Sequence, residues 1–257
     1  MAYNQNVNTS AGNKQIAKNT IFLYLRSLLL LLISLYTSRI TLQVLGVEDF
    51  GIYQIVGGVV AMFSMLSSSL TSASQRFITF TLGKNNLEEL KQVFSTCITL
   101  HVCLGFIVVI LLEFIGIWFL NNKLNIPADR LITARWVMQF SIVTFFVSVI
   151  SIPYNAVIIA HEKMSAFAYI GILEGLLKLG SVVLLIFTNY RDKLLLYSIF
   201  YFVISLFLRF VYAIYSKRHF EETNRLKFGV NKMYFRDMFA FAGWNLIGNG
   251  SLVLRNQ

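Results

Sequence analysis

Six stretches of this chain are apolar over a length that can cross a lipid bilayer. A transmembrane helix needs about 20 consecutive, mostly apolar residues. The stretches lie at roughly residues 20–42, 52–81, 93–120, 131–158, 165–188 and 194–215. Because lipid offers no partner to a free backbone N–H or C=O, they predict an all-α, polytopic membrane protein with a six-helix transmembrane bundle. A seventh stretch begins near residue 238, and since the sequence stops at Gln257 we expect only the start of a seventh helix.

The composition excludes most soluble classes and a nucleic-acid partner. Of 257 residues, 56% are apolar and 13% are charged, whereas a soluble domain has about 25% charged residues. The net charge is +10, but the basic residues are scattered between the apolar spans and do not form the patch that nucleic acid requires. We therefore attribute this charge to membrane topology and to contact with anionic membrane lipids.

The distribution of Lys and Arg orients the chain and divides it. Both are more frequent in the loops on the same side as the N-terminus, which predicts a cytoplasmic N-terminus. We predict a polar cytoplasmic lead over residues 1–19, a transmembrane lobe over 20–215, a basic amphipathic cytoplasmic linker over 216–237, and a truncated seventh span over 238–257. The lead has no apolar core or cleavage site typical of a signal peptide.

Two opposite charges lie inside the fifth stretch, in the sequence LEGLLKLG. Glu174 and Lys178 are four residues apart, which is the spacing of an ion pair on one helix face. Both lie near the expected midplane, where a charge costs about 2.5–3.5 kcal/mol on insertion scales. They either neutralise each other against a neighbouring helix or line a hydrated central cavity. Either interpretation turns this face of the fifth span inward.

Two arginines of the first stretch are further candidates for the cavity. Arg26 lies about two turns inside the cytoplasmic end, where it either extends to the headgroups or lines an inward-open cavity and binds phosphate through its planar fork. Arg39 lies near the outer end of the same span. We expect Arg76 and Arg209, near the inner ends of their spans, to extend to the membrane surface.

Two other polar residues complete the candidates. Glu113 either titrates in a cavity or reaches the outer headgroups. Asn155 follows Pro153, which should kink the fourth span, and bonds either the carbonyls that the proline frees or a substrate. The hydroxyl-rich segment SMLSSSLTSAS of the second span indicates close helix packing or a polar wall for sugars.

No motif of an enzyme, a metal site or a cofactor site is present. Metalloprotease, nucleotide-binding and nucleophile-elbow motifs are absent from the sequence, and the outer loops are short. Cys97 and Cys103 face different sides of a helix and are expected to be packing residues. We therefore expect no cofactor, and any transport would draw on the gradient of its substrate or of a coupling ion such as H⁺ or Na⁺.

The segment from residue 38 to 84 resembles the start of bacterial polysaccharide flippases of the Wzx type, in the MATE/MVF-like (MOP) exporter superfamily. The shared pattern is an Arg closing the first span, a Leu-Gly turn, acidic residues, and Gly-Ile-Tyr opening the second. It comprises Arg39, Leu45, Gly46, Glu48, Asp49, Gly51, Ile52 and Tyr53. The blocks WFLNNKLNIP, IPYNAVIIAHEKM and FAGWNLIGN are similar to later blocks of the same group, in the same order.

This resemblance implies a two-lobed transporter whose lobes face a central cavity, and this chain would be the N-terminal lobe without its C-terminal partner lobe. It implies that the protein moves undecaprenyl-diphosphate-linked oligosaccharides across the bacterial inner membrane for O-antigen or capsule assembly. Arg26 and Lys178 would attract the diphosphate, and Glu174 would compensate Lys178 or couple transport to an ion.

Other functions stay open at this point. A multidrug or cation antiporter of the same fold would favour an acidic cavity, whereas the spans here carry more Arg and Lys than Glu. A membrane enzyme of polysaccharide synthesis is disfavoured by the short loops. A scaffold that transports nothing is the third alternative.

Overall fold

All regular structure in the described part of the chain is helical. The computed structural model describes residues 9–124, 126–224 and 231–255. Its helices are α1 (Thr9–Ala61), α2 (Ser64–Gly83), α3 (Leu87–Asn122), α4 (Leu131–Ala160), α5 (Met164–Phe187), α6 (Lys193–His219) and α7 (Lys232–Arg255), with a 3-10 turn at Glu221–Thr223. Five of these are long and apolar enough to cross a membrane, namely α1 from Ala17 onward, α3, α4, α5 and α6. The all-α prediction is confirmed.

Helix α1 consists of two arms that meet at Gly46. This residue has φ 79° and ψ 170°, a conformation that only glycine adopts without strain, so the predicted Leu-Gly turn is present. The first arm, residues 9–45, is about 55 Å long at helical rise, which exceeds the hydrocarbon core of about 30 Å. It includes residues 9–19, which we expected to be a lead; residues 1–8 lie outside the described part.

The second predicted span, residues 52–81, is built from two pieces. They are the second arm of α1, residues 47–61, and α2, with a turn at residues 62–63 between them. Four hydroxyls of the hydroxyl-rich segment donate to carbonyls of their own helix, as Thr71 does to Ser67 at 2.8 Å; they belong to Ser68, Ser69, Thr71 and Ser72. Ser74 instead lies 3.5 Å from Nε2 of the buried His101 on α3. These bonds favour the packing interpretation of the hydroxyl-rich segment.

Helix α4 lies at the centre of the lobe and packs against α2, α3 and α6. It continues without a break through the buried Pro153. The fully buried Tyr154 meets Phe94 of α3 edge to face, with ring centroids 5.4 Å apart. The large share of buried side chains on α4 follows from this position, since it has neighbours on most of its faces.

The segment between α6 and α7 differs from the amphipathic linker predicted over residues 216–237. Helix α6 runs on to His219, and α7 begins at Lys232, six residues before the predicted start of the seventh span. Between them Glu222 is buried, with Oε1 2.7 Å from Nε2 of His161. On α7, Tyr234 donates to Glu89 at 2.5 Å, and this hydrogen bond raises the pKa of Tyr234 to about 12. Residues 225–230 lie outside the described part.

The end of the lobe next to Gly46 is tied together by Arg130. Its guanidinium lies 3.0 Å from Asp49 at the start of the second arm and 3.8 Å from Asp192 at the start of α6. Asp192 also accepts a short hydrogen bond from Thr133 and caps the backbone N–H of Leu195. Arg130, directly before α4, therefore links the acidic residue that follows the Leu-Gly turn to the start of α6.

Two glycines let α1 approach α5 closely. Gly171 and Gly175 are one turn apart and both buried, the small-xxx-small spacing of close helix contacts in membranes. A Cβ at Gly175 would lie 2.8 Å from Cδ2 of Leu30, and one at Gly171 would collide with the guanidinium of Arg26. Gly180 of the same helix is exposed, and a Cβ there would meet nothing within 4 Å.

Gly175→Leu should therefore destabilise the lobe, whereas Gly180→Leu should not. Overpacking a tight contact costs about 1–3 kcal/mol, and here α1 would have to move away from α5. Thermal unfolding of the detergent-solubilised protein, followed by size-exclusion chromatography, measures the effect. Equal melting temperatures for the two variants would show that the close approach of α1 and α5 is not needed.

Candidate functional site

A cavity of about 450 Å³ lies between both arms of α1, α5 and α6. This volume falls in the range of about 300–1,000 Å³ typical of sites for small molecules. The polar side chains around it come from all of these elements. They are Arg26, Ser34, Thr37, Ser38, Thr41, Tyr53, Gln54, Glu174, Lys178, Tyr197 and Tyr201.

Glu174 and Lys178 form an ion pair on the wall of this cavity. Nζ of Lys178 donates to Oε1 of Glu174 at 2.6 Å, and about a third of each side chain is exposed. Nζ also lies 5.6 Å from the ring centroid of Tyr201. The two predicted environments thus coincide, because the charges pair with each other and also face a cavity.

Arg26 reaches the cavity from the first arm of α1. Its Cζ lies 4.4 Å from the centroid of the Phe167 ring, and its other side lies against Gly171, which has no side chain to displace it. Among the described residues no carboxylate lies within 4 Å of its guanidinium, and its Nε is buried without a hydrogen-bond partner. The cavity therefore has two cations and one anion, with the second cation uncompensated.

The other three candidates do not line this cavity. Arg39 is exposed near the end of the first arm that meets Gly46. Glu113 accepts a 2.8 Å hydrogen bond from Nε2 of Gln139, which joins α3 to α4 on another side of the lobe. Oδ1 of Asn155 on α4 is buried and has no hydrogen-bond partner in the described ranges. The structure brings together Arg26, Glu174 and Lys178 only.

Sequence reasoning missed the tyrosines of the cavity. The rings of Tyr53 and Tyr197 are 4.7 Å apart, and those of Tyr197 and Tyr201 are 4.6 Å apart. Tyr197 and Tyr201 are four residues apart on α6 and so share a helix face. This spacing was visible in the sequence, but their contact with Tyr53 depends on how the second arm of α1 packs.

Comparison with known proteins identifies the family. The model of the family named MatE matches residues 23–184, more than half of the chain. The chain belongs to the MatE family. Together with the five helices that are long and apolar enough to cross a membrane, this membership indicates a multi-pass membrane protein. No curated protein matches the sequence.

Two solved structures share the fold. One is a multidrug resistance MATE transporter of the MOP superfamily in an outward-facing conformation, with a TM-score of 0.69 and 14% identity over 89% of this chain and 50% of that one. The other is a MOP superfamily transporter from Pyrococcus furiosus, with a TM-score of 0.73 and 14% identity over 94% of this chain and 53% of that one. The MatE chain thus spans about half the length of each, and its fold resembles their N-terminal lobe.

Neutralising one member of the Glu174–Lys178 pair should destabilise the lobe more than neutralising both. Glu174→Gln or Lys178→Gln leaves one charge unpaired in the membrane, whereas the double variant leaves none. Because the pair is partly exposed, we expect a coupling energy of about 1 kcal/mol. A double-mutant cycle of thermal stabilities measures it.

The exposed pair Arg236–Asp237 on α7, 3.6 Å apart, provides the control and should show almost no coupling. If the double variant loses as much stability as Glu174→Gln and Lys178→Gln lose together, the ion pair does not stabilise the lobe.

Proposed function

We propose that this transporter is a flippase for lipid-linked oligosaccharides. It would move undecaprenyl-diphosphate-linked sugar repeat units from the cytoplasmic to the periplasmic leaflet of a bacterial inner membrane, for surface polysaccharide synthesis. The observation that carries this proposal is Arg26, a cation that faces a cavity within the membrane and has no carboxylate partner among the described residues.

The charge balance of the cavity suits an anionic headgroup. Glu174 neutralises Lys178 through its 2.6 Å contact, which leaves the positive charge of Arg26 for a ligand. Coulomb attraction strengthens as the dielectric constant falls, so a cation at this depth attracts a diphosphate more strongly than one in water. The fork of the guanidinium also matches two phosphate oxygens.

The distance between the two cations of the cavity supports the same substrate class. Arg26 lies beside Gly171, and Lys178 is seven residues further along α5, or about 10 Å at helical rise. A diphosphate bound at Arg26 could thus move toward Lys178 if Glu174 released it, for example on binding H⁺ or Na⁺ as the coupling ion. The lipid chain would stay in the bilayer during this movement.

A multidrug or cation antiporter is the second candidate. One structural relative is a multidrug transporter, and Glu174 offers one carboxylate to an organic cation. For the relative from Pyrococcus furiosus, the reversed polarity of its binding pocket suggests a different function. In this chain the cavity is lined by two cations, Arg26 and Lys178, and one anion, Glu174. This excess of positive charge disfavours a cationic drug as the substrate.

The proposal includes a cytoplasmic N-terminus and a second lobe that closes the cavity from the other side. The orientation rests on the excess of Lys and Arg in the loops on the N-terminal side. The second lobe rests on the two solved transporters, which are about twice as long as this chain.

Arg26→Gln should block export, whereas Arg39→Gln should not. Both variants remove one positive charge from the same helix, but only Arg26 lines the cavity. Loss of a charge-assisted hydrogen bond costs about 1.5–3 kcal/mol, so we expect surface polysaccharide to fall at least about tenfold. Each variant would be expressed at equal protein levels in a strain that lacks the gene.

Undecaprenyl-diphosphate-linked repeat units and surface polysaccharide would be quantified side by side. Accumulation of the repeat units together with loss of the polymer supports a flippase. Unchanged amounts of both in the deletion strain, with new sensitivity to cationic drugs, would favour the antiporter.

A further inference from the structure

A second, smaller cavity adjoins the charged one. It has a volume of about 200 Å³ and lies between the second arm of α1, α4 and α6. Tyr53 and Tyr201 line both cavities and separate them. No charged residue lines this second cavity, and its polar groups are hydroxyls. They belong to Tyr53, Ser141, Thr144, Ser148, Ser198 and Tyr201.

The hydroxyls of this cavity can bind a neutral polar ligand. Ser148 and Ser198 donate to carbonyls of their own helices, at 2.8 Å to Phe145 and 2.7 Å to Leu195, so their oxygen lone pairs stay available. In the described part of the chain, the hydroxyls of Ser141 and Thr144 make no hydrogen bond. A hydroxyl that makes no hydrogen bond to the protein is free to bond a ligand, and a ligand that bears hydroxyls supplies both donors and acceptors.

The aromatic walls and the volume narrow the ligand further. The rings of Tyr53 and Tyr201 are 6.1 Å apart at an interplanar angle of 69°, and Phe145 adds a third ring. Such rings offer apolar faces to the C–H face of a sugar, while hydroxyls bond its edge. The volume is below the lower limit of about 300 Å³ for drug-sized ligands, which suits one sugar ring better than a whole oligosaccharide.

We propose that this hydroxyl-lined cavity is a subsite for one neutral sugar residue of the transported substrate. This rests on the proposed function, in which the diphosphate occupies the neighbouring charged cavity. The two cavities then recognise different parts of the substrate. Arg26 and Lys178 bind the anionic group, which any lipid diphosphate carries. The second cavity distinguishes lipids that carry a sugar from those that do not.

The test compares two lipids and two triple variants. The lipids are a short-chain prenyl diphosphate and the same lipid carrying one neutral hexose. The test variant, Ser141→Ala/Thr144→Val/Ser148→Ala, removes three hydroxyls from the cavity with little change in volume. The matched control, Ser68→Ala/Thr71→Val/Ser72→Ala, removes three hydroxyls of α2 that bond their own helix outside the cavity. Affinities are measured by calorimetry on the full-length protein in lipid nanodiscs.

We expect the wild-type protein and the control variant to bind the hexose-bearing lipid more tightly than the bare diphosphate. The test variant should lose about tenfold in affinity for the hexose-bearing lipid, in line with the loss of one or two hydrogen bonds. Its unchanged affinity for the bare diphosphate shows that it is folded. Arg26→Gln should weaken the binding of both lipids.

Three results overturn the subsite: equal wild-type affinity for the two lipids, an unchanged affinity of the test variant for the hexose-bearing lipid, or equal loss for both lipids. If Arg26→Gln still weakens both lipids in these cases, the proposed function stands without the subsite. If the wild-type protein binds neither lipid, both the proposed function and the subsite are wrong.

Discussion

A charged side chain in a membrane has to face protein or water, and this requirement governs how α1, α5 and α6 are arranged. Glu174 and Lys178 on α5 cannot face lipid, so α5 turns this face to the cavity. The glycines of the same helix let α1 come close enough to form the opposite wall, with Leu30 against Gly175. The guanidinium of Arg26 then fits between Gly171 and Phe167. The helix contact and the charge distribution of the cavity therefore depend on each other.

Aromatic rings contact Arg26, Arg76 and Arg209. The guanidinium carbons of Arg76 and Arg209, which we expected to extend to the membrane surface, lie 4.5 Å from the ring centroid of Phe241 and 4.1 Å from that of Tyr154. A cation over a ring gains about 0.5–1 kcal/mol at an exposed site and about 2 kcal/mol where it is desolvated. At Arg26 the ring holds the guanidinium without using its hydrogen-bond donors, so the side chain is positioned and still able to bind an anion.

The polar groups of the lobe lie in separate places: ion pairs at its two ends, and cavities between them. Arg130, Asp49 and Asp192 tie three elements at the end of the lobe next to Gly46, while His161 and Glu222 tie the opposite end. Between these ends, the tyrosines of α1 and α6 divide a charged cavity from a hydroxyl-lined one. A substrate with an anionic group and a neutral polar group would bind the charged cavity with the first and the hydroxyl-lined cavity with the second. The second cavity would then distinguish between substrates that carry the same charge.

The sequence by itself determined the helical class, the approximate spans, the Leu-Gly turn at Gly46 and the pairing of Glu174 with Lys178. Each of these follows from residues close together in the chain, through hydrophobic length, glycine conformation or helical spacing. Only the tertiary structure decided that Arg26 joins this pair while Arg39, Glu113 and Asn155 do not, and that Tyr53 meets Tyr197 and Tyr201. Which face of one helix meets which face of another depends on packing across the whole lobe, and the spacing of residues within a single helix carries no such information.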